Sequence, residues 1–245
     1  MLFRSGHLYM FEPKYKRILL KLSGEAISGK DGIIDFDFLD RIAAVLVELT
    51  NAGVETSVVF GAGNIWRGRQ GGGMNRVTAD HMGMLATVIN ALAAKDAVER
   101  AGGSAVVYTS TDMMPYAEYY SAERAVGSLA EGKIVIFGGG TGCPYFSTDT
   151  AGMLRAIEIG ADAFLLAKNV DGIYDSDPRK NPEAKLFEEI GYDDMMKLDL
   201  HGIDLTASAM GAEFGPPAIA FKLEDVADIK LAVEGKCRGT VIIRK

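Results

Sequence analysis

Apolar residues follow two patterns that alternate along the chain. Short continuous apolar runs are typical of buried strands, and longer runs with apolar residues every three or four positions are typical of amphipathic helices. The predicted strands are 15–22, 56–60, 105–108, 134–137, 162–167, 219–221 and 240–243. The predicted helices are 37–51, 79–101, 121–131, the run that follows 147–150, 204–214 and 226–233. The alternation predicts an α/β fold with a mostly parallel central sheet sandwiched by helices.

Four of the predicted strands end in glycine-containing or polar loops, at 21–24, 61–64, 138–142 and 168–172. Because the carboxyl ends of parallel strands meet at one edge of a sheet, we expect these loops to lie together, where such sheets bind ligands. The 138–142 loop exposes backbone N–H groups, and the helix that follows favours an anion. It is therefore predicted to hold a phosphorylated acceptor, and the alternative is an ordinary strand-to-helix turn.

Several charged residues stand beside these loops. Lys21, near the end of a predicted strand, could bridge phosphates and stabilise a transferring phosphoryl group, or it could simply face solvent. Arg67 could hold a phosphate with both guanidinium arms. Asp80 opens the predicted long helix and could accept sugar hydroxyls or cap that helix. Asp149 and Asp204 stand at predicted helix starts, where each could be a cap, orient Lys21 or contact a metal indirectly.

Two further predictions concern helices and the acidic loop. Asp37 is predicted to cap the first helix, and the apolar stripe of the long helix is predicted to be core packing. That stripe comprises Met82, Met84, Leu85, Val88, Ile89 and Leu92.

The loop with Asp171, Asp175 and Asp177 could bind Mg²⁺ or could be an ordinary polar surface loop, and Tyr174 within it could stack on a nucleobase.

Composition excludes several classes of function. The 245 residues carry a net charge of −7, which argues against bulk binding to nucleic acid or to an anionic membrane. No apolar run approaches the roughly 18 residues that cross a membrane. Cys143 and Cys237 have no metal-binding spacing, so a reduced cytoplasmic setting is expected. Two nucleotide-binding motifs are excluded by single residues. Asp31 stands where a P-loop needs Ser or Thr, so 24–31 is not a P-loop. Cys143 stands where the dinucleotide fingerprint needs its last glycine, so a nicotinamide-dependent enzyme is not expected.

Five sequence blocks resemble the bacterial uridylate kinases of the amino-acid-kinase family, and they come in the same order. They are KRILLKLSGEA (16–26), VVFGAGNIWRG (58–68), MNRVTADHMGMLATVINALA (74–93), GTGCPYFSTDT (140–150) and VDGIYDSDPRKNP (170–182). The likeness covers about 15–242. It implies an N-terminal arm or tag at 1–13 and one amino-acid-kinase-like domain at 14–245, with an acceptor lobe at about 14–165 and an ATP lobe at about 166–245.

The resemblance also implies an activity and a site. It implies transfer of the γ-phosphoryl group of ATP to UMP, assisted by Mg²⁺ and without a protein metal ligand, in pyrimidine nucleotide biosynthesis. The implied ATP-site residues are Lys21, Leu22, Ser23, Gly24, Gly63, Arg67, Lys168, Tyr174 and Asp177. The implied UMP-site residues are Ala62, Asp80, Thr141, Gly142, Cys143, Pro144, Tyr145, Phe146, Ser147 and Thr148. The implied catalytic residues are Lys21, Arg67, Asp149 and Asp204.

The same likeness implies a homohexamer that responds to GTP as activator and to UTP as inhibitor, with no nucleic acid and no membrane as partner. The chain departs from the family pattern at Cys143, where asparagine is usual, and at Lys168–Asn169, where Thr-Lys is common. Glu99 stands where GTP-responsive members often carry histidine. Two alternatives stay open: a relative that phosphorylates a carboxylate or carbamate, and a non-catalytic nucleotide sensor.

Overall fold

The computed structural model of the protein describes residues 11–29, 32–66, 72–178, 180–200 and 202–245. The strands are β1 (Arg17–Leu22), β2 (Glu55–Phe60), β3 (Ala105–Thr109), β4 (Glu118–Tyr119), β5 (Ile134–Gly138), β6 (Ala163–Lys168), β7 (Glu189–Gly191), β8 (Ala218–Lys222) and β9 (Gly239–Ile243). The helices are α1 (Phe36–Asn51), α2 (Arg76–Arg100), α3 (Ala122–Ala130), α4 (Thr148–Glu158), α5 (Tyr192–Lys197), α6 (Leu205–Phe214) and α7 (Ala227–Val233), with a 3₁₀ turn at Gly24–Ile27. None of these helices has the length and apolar character needed to cross a membrane.

Within the described ranges the strands form one nine-stranded sheet in the order β4-β3-β5-β2-β1-β6-β8-β9-β7. Every pair of neighbours is parallel except β8 and β9. The prediction of an α/β fold with a mostly parallel sheet is confirmed. The sheet runs through both predicted lobes, and the division near residue 165 stays a prediction.

Helices cover both faces of the sheet. One core contains apolar side chains of α1, α2 and α7, and the other contains those of α3, α4, α5 and α6. Because side chains alternate along a strand, Leu20 and Leu22 of β1 enter the first core while Leu19 enters the second. Lys21 therefore points to the face on which α4 lies.

Two predicted helix starts are wrong. Asp35, not Asp37, caps α1, and its side chain accepts the N–H of Phe38 at 2.9 Å. Asn75 caps α2 by accepting the N–H of Val77 at 2.9 Å, so Asp80 lies in the second turn of this helix and not at its start. The capping alternative for Asp80 is thereby excluded, and its carboxylate is available for other contacts.

The described end of the predicted N-terminal arm packs on the fold. Phe11 contacts the core that contains α7, and the N–H of Glu12 donates to Oε1 of Glu234 at 3.1 Å. Residues 1–10 lie outside the described part of the chain.

The apolar stripe predicted on α2 is only partly core. Val88 is buried and Leu92 packs against the core, as expected. Leu85 and Ile89, however, are 53% and 51% exposed, because they lie on the face of α2 that points away from the sheet. The helix carries apolar residues on two faces, and the described residues cover one of them.

Gly152 of α4 allows this helix to lie close against the sheet. A Cβ atom at this position would lie 2.7 Å from Cζ of Phe164 on β6. We expect Gly152→Ala to lower the free energy of unfolding by about 1–3 kcal/mol, because overpacking outweighs the gain of about 1 kcal/mol in helix propensity. Urea unfolding measures the change.

Gly127 of α3 provides the matched control, because no heavy atom lies within 4 Å of a Cβ added there. Gly127→Ala should raise the free energy of unfolding by up to about 1 kcal/mol. Equal effects of the two substitutions would show that α4 is not closely packed at Gly152.

Candidate active site

The loops that follow β5, β2, β1 and β6 meet at one edge of the sheet, because these four strands are parallel neighbours. The N–H of Gly61 donates to the carbonyl of Leu22 at 2.8 Å. A Cβ atom on Gly24 would lie 2.6 Å from the backbone nitrogen of Gly63, so a side chain at Gly24 would separate the β1 and β2 loops. The predicted convergence of the strand ends is confirmed.

A carboxylate at the start of α4 binds two lysines from adjacent strands. Nζ of Lys21, on β1, lies 2.8 Å from Oδ1 of Asp149, and Nζ of Lys168, at the end of β6, lies 3.2 Å from Oδ2. Ser147 caps α4 by accepting the N–H of Thr150 at 3.1 Å, so Asp149 is not needed as a cap. The lysine and carboxylate side chains are 12–22% exposed, so they are largely but not completely shielded from water.

Burial and ion pairing act against each other in this cluster. Burial disfavours the Asp149 carboxylate, but attraction by Lys21 and Lys168 outweighs it and holds the pKa of Asp149 below its usual value. Burial lowers the pKa of Lys168, and repulsion by Lys21 adds to the effect, despite the attraction of Asp149. The cluster carries two positive charges and one negative charge, so it can accept an anion.

Asp204 links the starts of two helices. It caps α6, because its side chain accepts a hydrogen bond from the N–H of Ala207 at 3.0 Å. It also accepts hydrogen bonds from the hydroxyl of Thr150, at 2.9 Å, and from the hydroxyl of Ser147. The cap interpretation of Asp204 is confirmed, and its contacts with Ser147 and Thr150 link it to the segment that carries Asp149, while an effect on Lys21 or on a metal stays a prediction. Its charge also acts on Lys168.

A cavity of about 330 Å³ lies beside this cluster, between the β2 loop, α2 and the loop after β5. Residues predicted for the acceptor that line it are Ala62, Asp80, Thr141, Cys143, Phe146, Ser147 and Thr148. Gly63, which was predicted for ATP, also lines it. Gly140, which belongs to the 138–142 loop predicted to hold the acceptor, lines it as well, and the residues that the sequence interpretation missed are Trp66, Gly83, Met84 and Thr87. Gly83, Met84 and Thr87 lie three, four and seven residues after Asp80, so they share its face of α2, and this helical spacing could have identified them.

Asp80 closes one side of this cavity by joining α2 to the loop. Its Oδ2 accepts the N–H of Tyr145 at 2.8 Å, and both of its oxygens lie 2.9 Å from Nε of Arg76. Tyr145 has a φ of +73°, and its ring lies under the guanidinium of Arg76. Burial opposes the carboxylate, but the hydrogen bonds from Tyr145 and Arg76 outweigh it and lower the pKa of Asp80.

A second cavity, of about 400 Å³, lies beyond Lys168. Lys168, Tyr174 and Asp177 line it, and these three residues were predicted for ATP. The segment 198–200 with Gly202 forms the opposite wall and was not predicted, because it belongs to an irregular connection. The acidic loop is anchored, since the N–H of Ile173 donates to Oγ1 of Thr240 at 2.8 Å. Arg67 lies outside the described residues.

Comparison with known proteins agrees with this arrangement. Residues 16–218 match a sequence model of the amino acid kinase family. This chain belongs to the amino acid kinase family.

Individual relatives narrow the likeness within the amino acid kinase family. The chain is 49% identical over 239 residues to a uridylate kinase from Oenococcus oeni, and the match covers 95% of this chain and 98% of that protein. A crystal structure of a UMP kinase from Bacillus anthracis is similar, with a TM-score of 0.89, 36% identity and coverage of 95% and 97% of the two chains. A UMP kinase from Ureaplasma parvum gives a TM-score of 0.88, 33% identity and coverage of 94% and 100%.

The carboxylates of this amino acid kinase are compatible with a magnesium ion that arrives with a nucleotide. Among the described residues no three His, Cys, Asp or Glu side chains are grouped to hold a metal. Asp171 accepts the hydroxyl of Tyr174 at 2.7 Å, and Asp175 accepts the N–H of Lys185 at 3.0 Å. The oxygens of Asp149 and Asp204 also have partners, so any of these carboxylates would have to be shared with a metal ion. Mg²⁺ commonly takes most of its ligands from phosphates and water and needs one or two carboxylates. Asp149 and Asp204 are the acidic side chains at the lysine cluster.

Lys168 should limit activity at high pH. Because its pKa is lowered, it loses its proton below the ordinary lysine value of about 10.4, and the cluster then attracts phosphate less. We expect kcat/KM for ATP, which reports on the free enzyme, to fall in that range. Lys168→Arg should move this alkaline limb to higher pH, because arginine stays charged.

Lys222 is the matched control, because it occupies the paired position on β8 and is exposed. Lys222→Arg should leave the alkaline limb where it is. Identical pH profiles of the wild type and Lys168→Arg would contradict the assignment of the alkaline limb to Lys168.

Proposed function

We propose that this protein transfers the γ-phosphoryl group of ATP to UMP, which gives ADP and UDP. One structural observation carries the proposal: α4 joins the two halves of the site. Ser147 and Thr148 line the 330 Å³ cavity between the β2 loop, α2 and the β5 loop. The next residue, Asp149, binds Lys21 and Lys168. An acceptor in that cavity lies next to a positive cluster, and the curated relative and the solved structures are named for this reaction.

The reaction needs no protein nucleophile. A phosphate oxygen of UMP attacks the γ-phosphorus in line with the departing ADP oxygen, and it is already ionised near neutral pH. The protein must hold two anions together and neutralise charge on the transferring group. In our proposal Lys21, Lys168 and the N–H groups of the glycine loops supply that charge, with Arg67 as a further phosphate ligand. Asp149 and Asp204 hold the lysines and α4 in place.

ATP would enter from the side of the second cavity. Its phosphates would lie over Ser23, Gly24 and Gly63, and its nucleoside would lie near Tyr174 and Asp177, which line that cavity. Magnesium bound to the ATP phosphates, near Asp149 and Asp204, would supply further charge neutralisation. UMP would be held by Asp80 and the 141–148 loop.

Assembly and regulation are also part of the proposal. We propose a homo-oligomer, a hexamer by the family likeness, and the exposed Leu85 and Ile89 on the outer face of α2 support self-association. A cytoplasmic role in pyrimidine nucleotide biosynthesis, with GTP and UTP as effectors, follows from the same likeness. Sedimentation measured with and without GTP and UTP would test the assembly.

The test of the activity is steady-state ADP release with ATP and Mg²⁺ in the presence of one acceptor at a time. The acceptors are UMP, CMP, dUMP, AMP, acetylglutamate, aspartate and carbamate. We expect turnover with UMP. Turnover only with a carboxylate or with carbamate would keep the ATP site but reject the acceptor assignment. Binding of UMP without turnover of any acceptor would favour a nucleotide sensor.

A further inference from the structure

One face of α2 forms a wall of the acceptor cavity. Asp80, Gly83, Met84 and Thr87 line the cavity at a spacing of three or four residues, and Asn90 follows on the same face. The cavity lies between two loops, one after β2 and one after β5. Thr87 and Asn90 each bind one of these loops, so a single helix face contacts both.

Thr87 holds the β5 loop. Its buried hydroxyl accepts the N–H of Gly139 at 2.8 Å and donates to the carbonyl of Met84 at 2.6 Å. The carbonyl of Gly139 accepts the hydroxyl of Ser110 at 2.7 Å, so this residue is held on both sides. Gly139 has a φ of +78°, and an added Cβ would lie 2.8 Å from Oγ of Ser110. These contacts fix the start of the segment that continues to Gly140 and Thr141 in the cavity wall.

Asn90 holds the β2 loop. Its side chain is fully buried, and its Nδ2 donates to the carbonyl of Gly61 at 2.8 Å and to Oδ1 of Asn64 at 2.9 Å. In return, its Oδ1 accepts Nδ2 of Asn64 at 2.9 Å. Asn64 also donates to the carbonyl of Ile33 at 2.9 Å. Ala62 and Gly63, which line the cavity, lie between the two residues that Asn90 binds.

We infer that Thr87 and Asn90 are positioning residues that set the separation of the β2 and β5 loops across the acceptor. The inference rests on the proposed function, because it assigns the space between these loops to UMP. Buried backbone groups that lose a partner are costly, so each loop should move toward a new partner when its contact is removed. Thr87 acts on a loop that lines the acceptor cavity, whereas Asn90 acts on a loop that also touches Gly24 on the donor side.

The main test replaces Thr87 by valine, which has the same shape and lacks the hydroxyl. We expect KM for UMP to rise about tenfold and KM for ATP to change less than about twofold, since one buried hydrogen bond is worth about a factor of ten in affinity. Amide hydrogen exchange of Gly139 should become faster. Thr87→Ser restores the hydroxyl and should return KM for UMP to within about twofold of the wild type.

Thr56→Val is the matched control. Thr56 is also fully buried and its hydroxyl donates to the carbonyl of Val54 at 3.1 Å, but it lies at the opposite end of β2 from the cavity. It should lower the thermal unfolding midpoint about as much as Thr87→Val without changing either KM. Equal KM values for UMP in the two variants would overturn the inference for Thr87.

Asn90→Asp tests the second contact with little change of size. It places a carboxylate against the carbonyl of Gly61 and Oδ1 of Asn64, so we expect KM for both UMP and ATP to rise and kcat to fall. A folded Asn90→Asp variant with unchanged kinetics would overturn the role of Asn90. Wild-type protein that fails to turn over UMP overturns the proposed function and this inference together, whereas normal turnover with unaltered Thr87→Val kinetics overturns the inference alone.

Discussion

Replacement of Lys21 by alanine is expected to lower kcat for phosphoryl transfer to UMP about 10³-fold, a loss typical of a charged group that acts in the transition state. Lys21 lies at the carboxyl end of β1, its ammonium group faces α4, and Asp149 holds it at 2.8 Å. The negative charge that develops on the transferring phosphoryl group would therefore lie next to the ammonium group of Lys21, which Asp149 already holds in place. Because the side chain lies outside the acceptor cavity, the affinity for UMP should change less than about twofold.

Single-turnover kinetics measure the transfer step, and calorimetry measures UMP binding. Lys95→Ala is the control, because it also removes a lysine that is paired with a carboxylate, here Glu99 on the exposed face of α2. It should leave both measurements unchanged. A Lys21→Ala variant that retains a tenth or more of the wild-type rate would remove Lys21 from the catalytic role. Loss of UMP binding in this variant would instead show that Lys21 belongs to the acceptor site.

The fold was predictable where a single physical signal decided it. The alternation of short apolar runs with amphipathic runs predicted the parallel sheet, and glycine-rich strand ends predicted the edge that carries the site. The short elements β4, β7 and α5, of two, three and six residues, were missed because too few positions define the period of a two- or three-residue strand or of a helix shorter than two turns. The cap of α1 was assigned wrongly because Asp35 and Asp37 both precede the first buried residue, Leu39, and periodicity does not distinguish them.

The sequence predicted many of the residues that line the two cavities but not the contacts between them, and the roles of these residues stay predictions. Asp149 and Lys21 were both candidates, yet the position of Lys168 on the same carboxylate depends on how β6 lies beside β1. The hydrogen bond between Asp80 and Tyr145 joins residues that are 65 positions apart. Thr87 and Asn90 were hidden in a helix that looked like core packing, because buried polar side chains reveal their partners only after the loops are placed.

Replacement of Asp80 by alanine is expected to weaken UMP binding much more than ATP binding. The carboxylate is 13% exposed and accepts hydrogen bonds from Arg76 and from the backbone of Tyr145, which places the 141–148 loop against α2. Hydrogen bonds to a charged group contribute about 2–3 kcal/mol, so KM for UMP should rise roughly 30- to 150-fold. KM for ATP should stay within about twofold, because Asp80 lies in the acceptor cavity and the lysine cluster is untouched.

Asp96→Ala separates this effect from the loss of a helical ion pair. Asp96 lies on the same helix and binds Arg100 at 2.8 Å, four residues away, just as Asp80 binds Arg76. It should change neither KM, because its pair is exposed and distant from both cavities. Asp80→Asn then separates the effect of the hydrogen bond from the effect of the charge. It keeps an oxygen that can accept the N–H of Tyr145 but removes the negative charge. Recovery of UMP affinity in Asp80→Asn would assign the effect to loop placement, whereas equal losses for UMP and ATP in Asp80→Ala would contradict the acceptor assignment altogether.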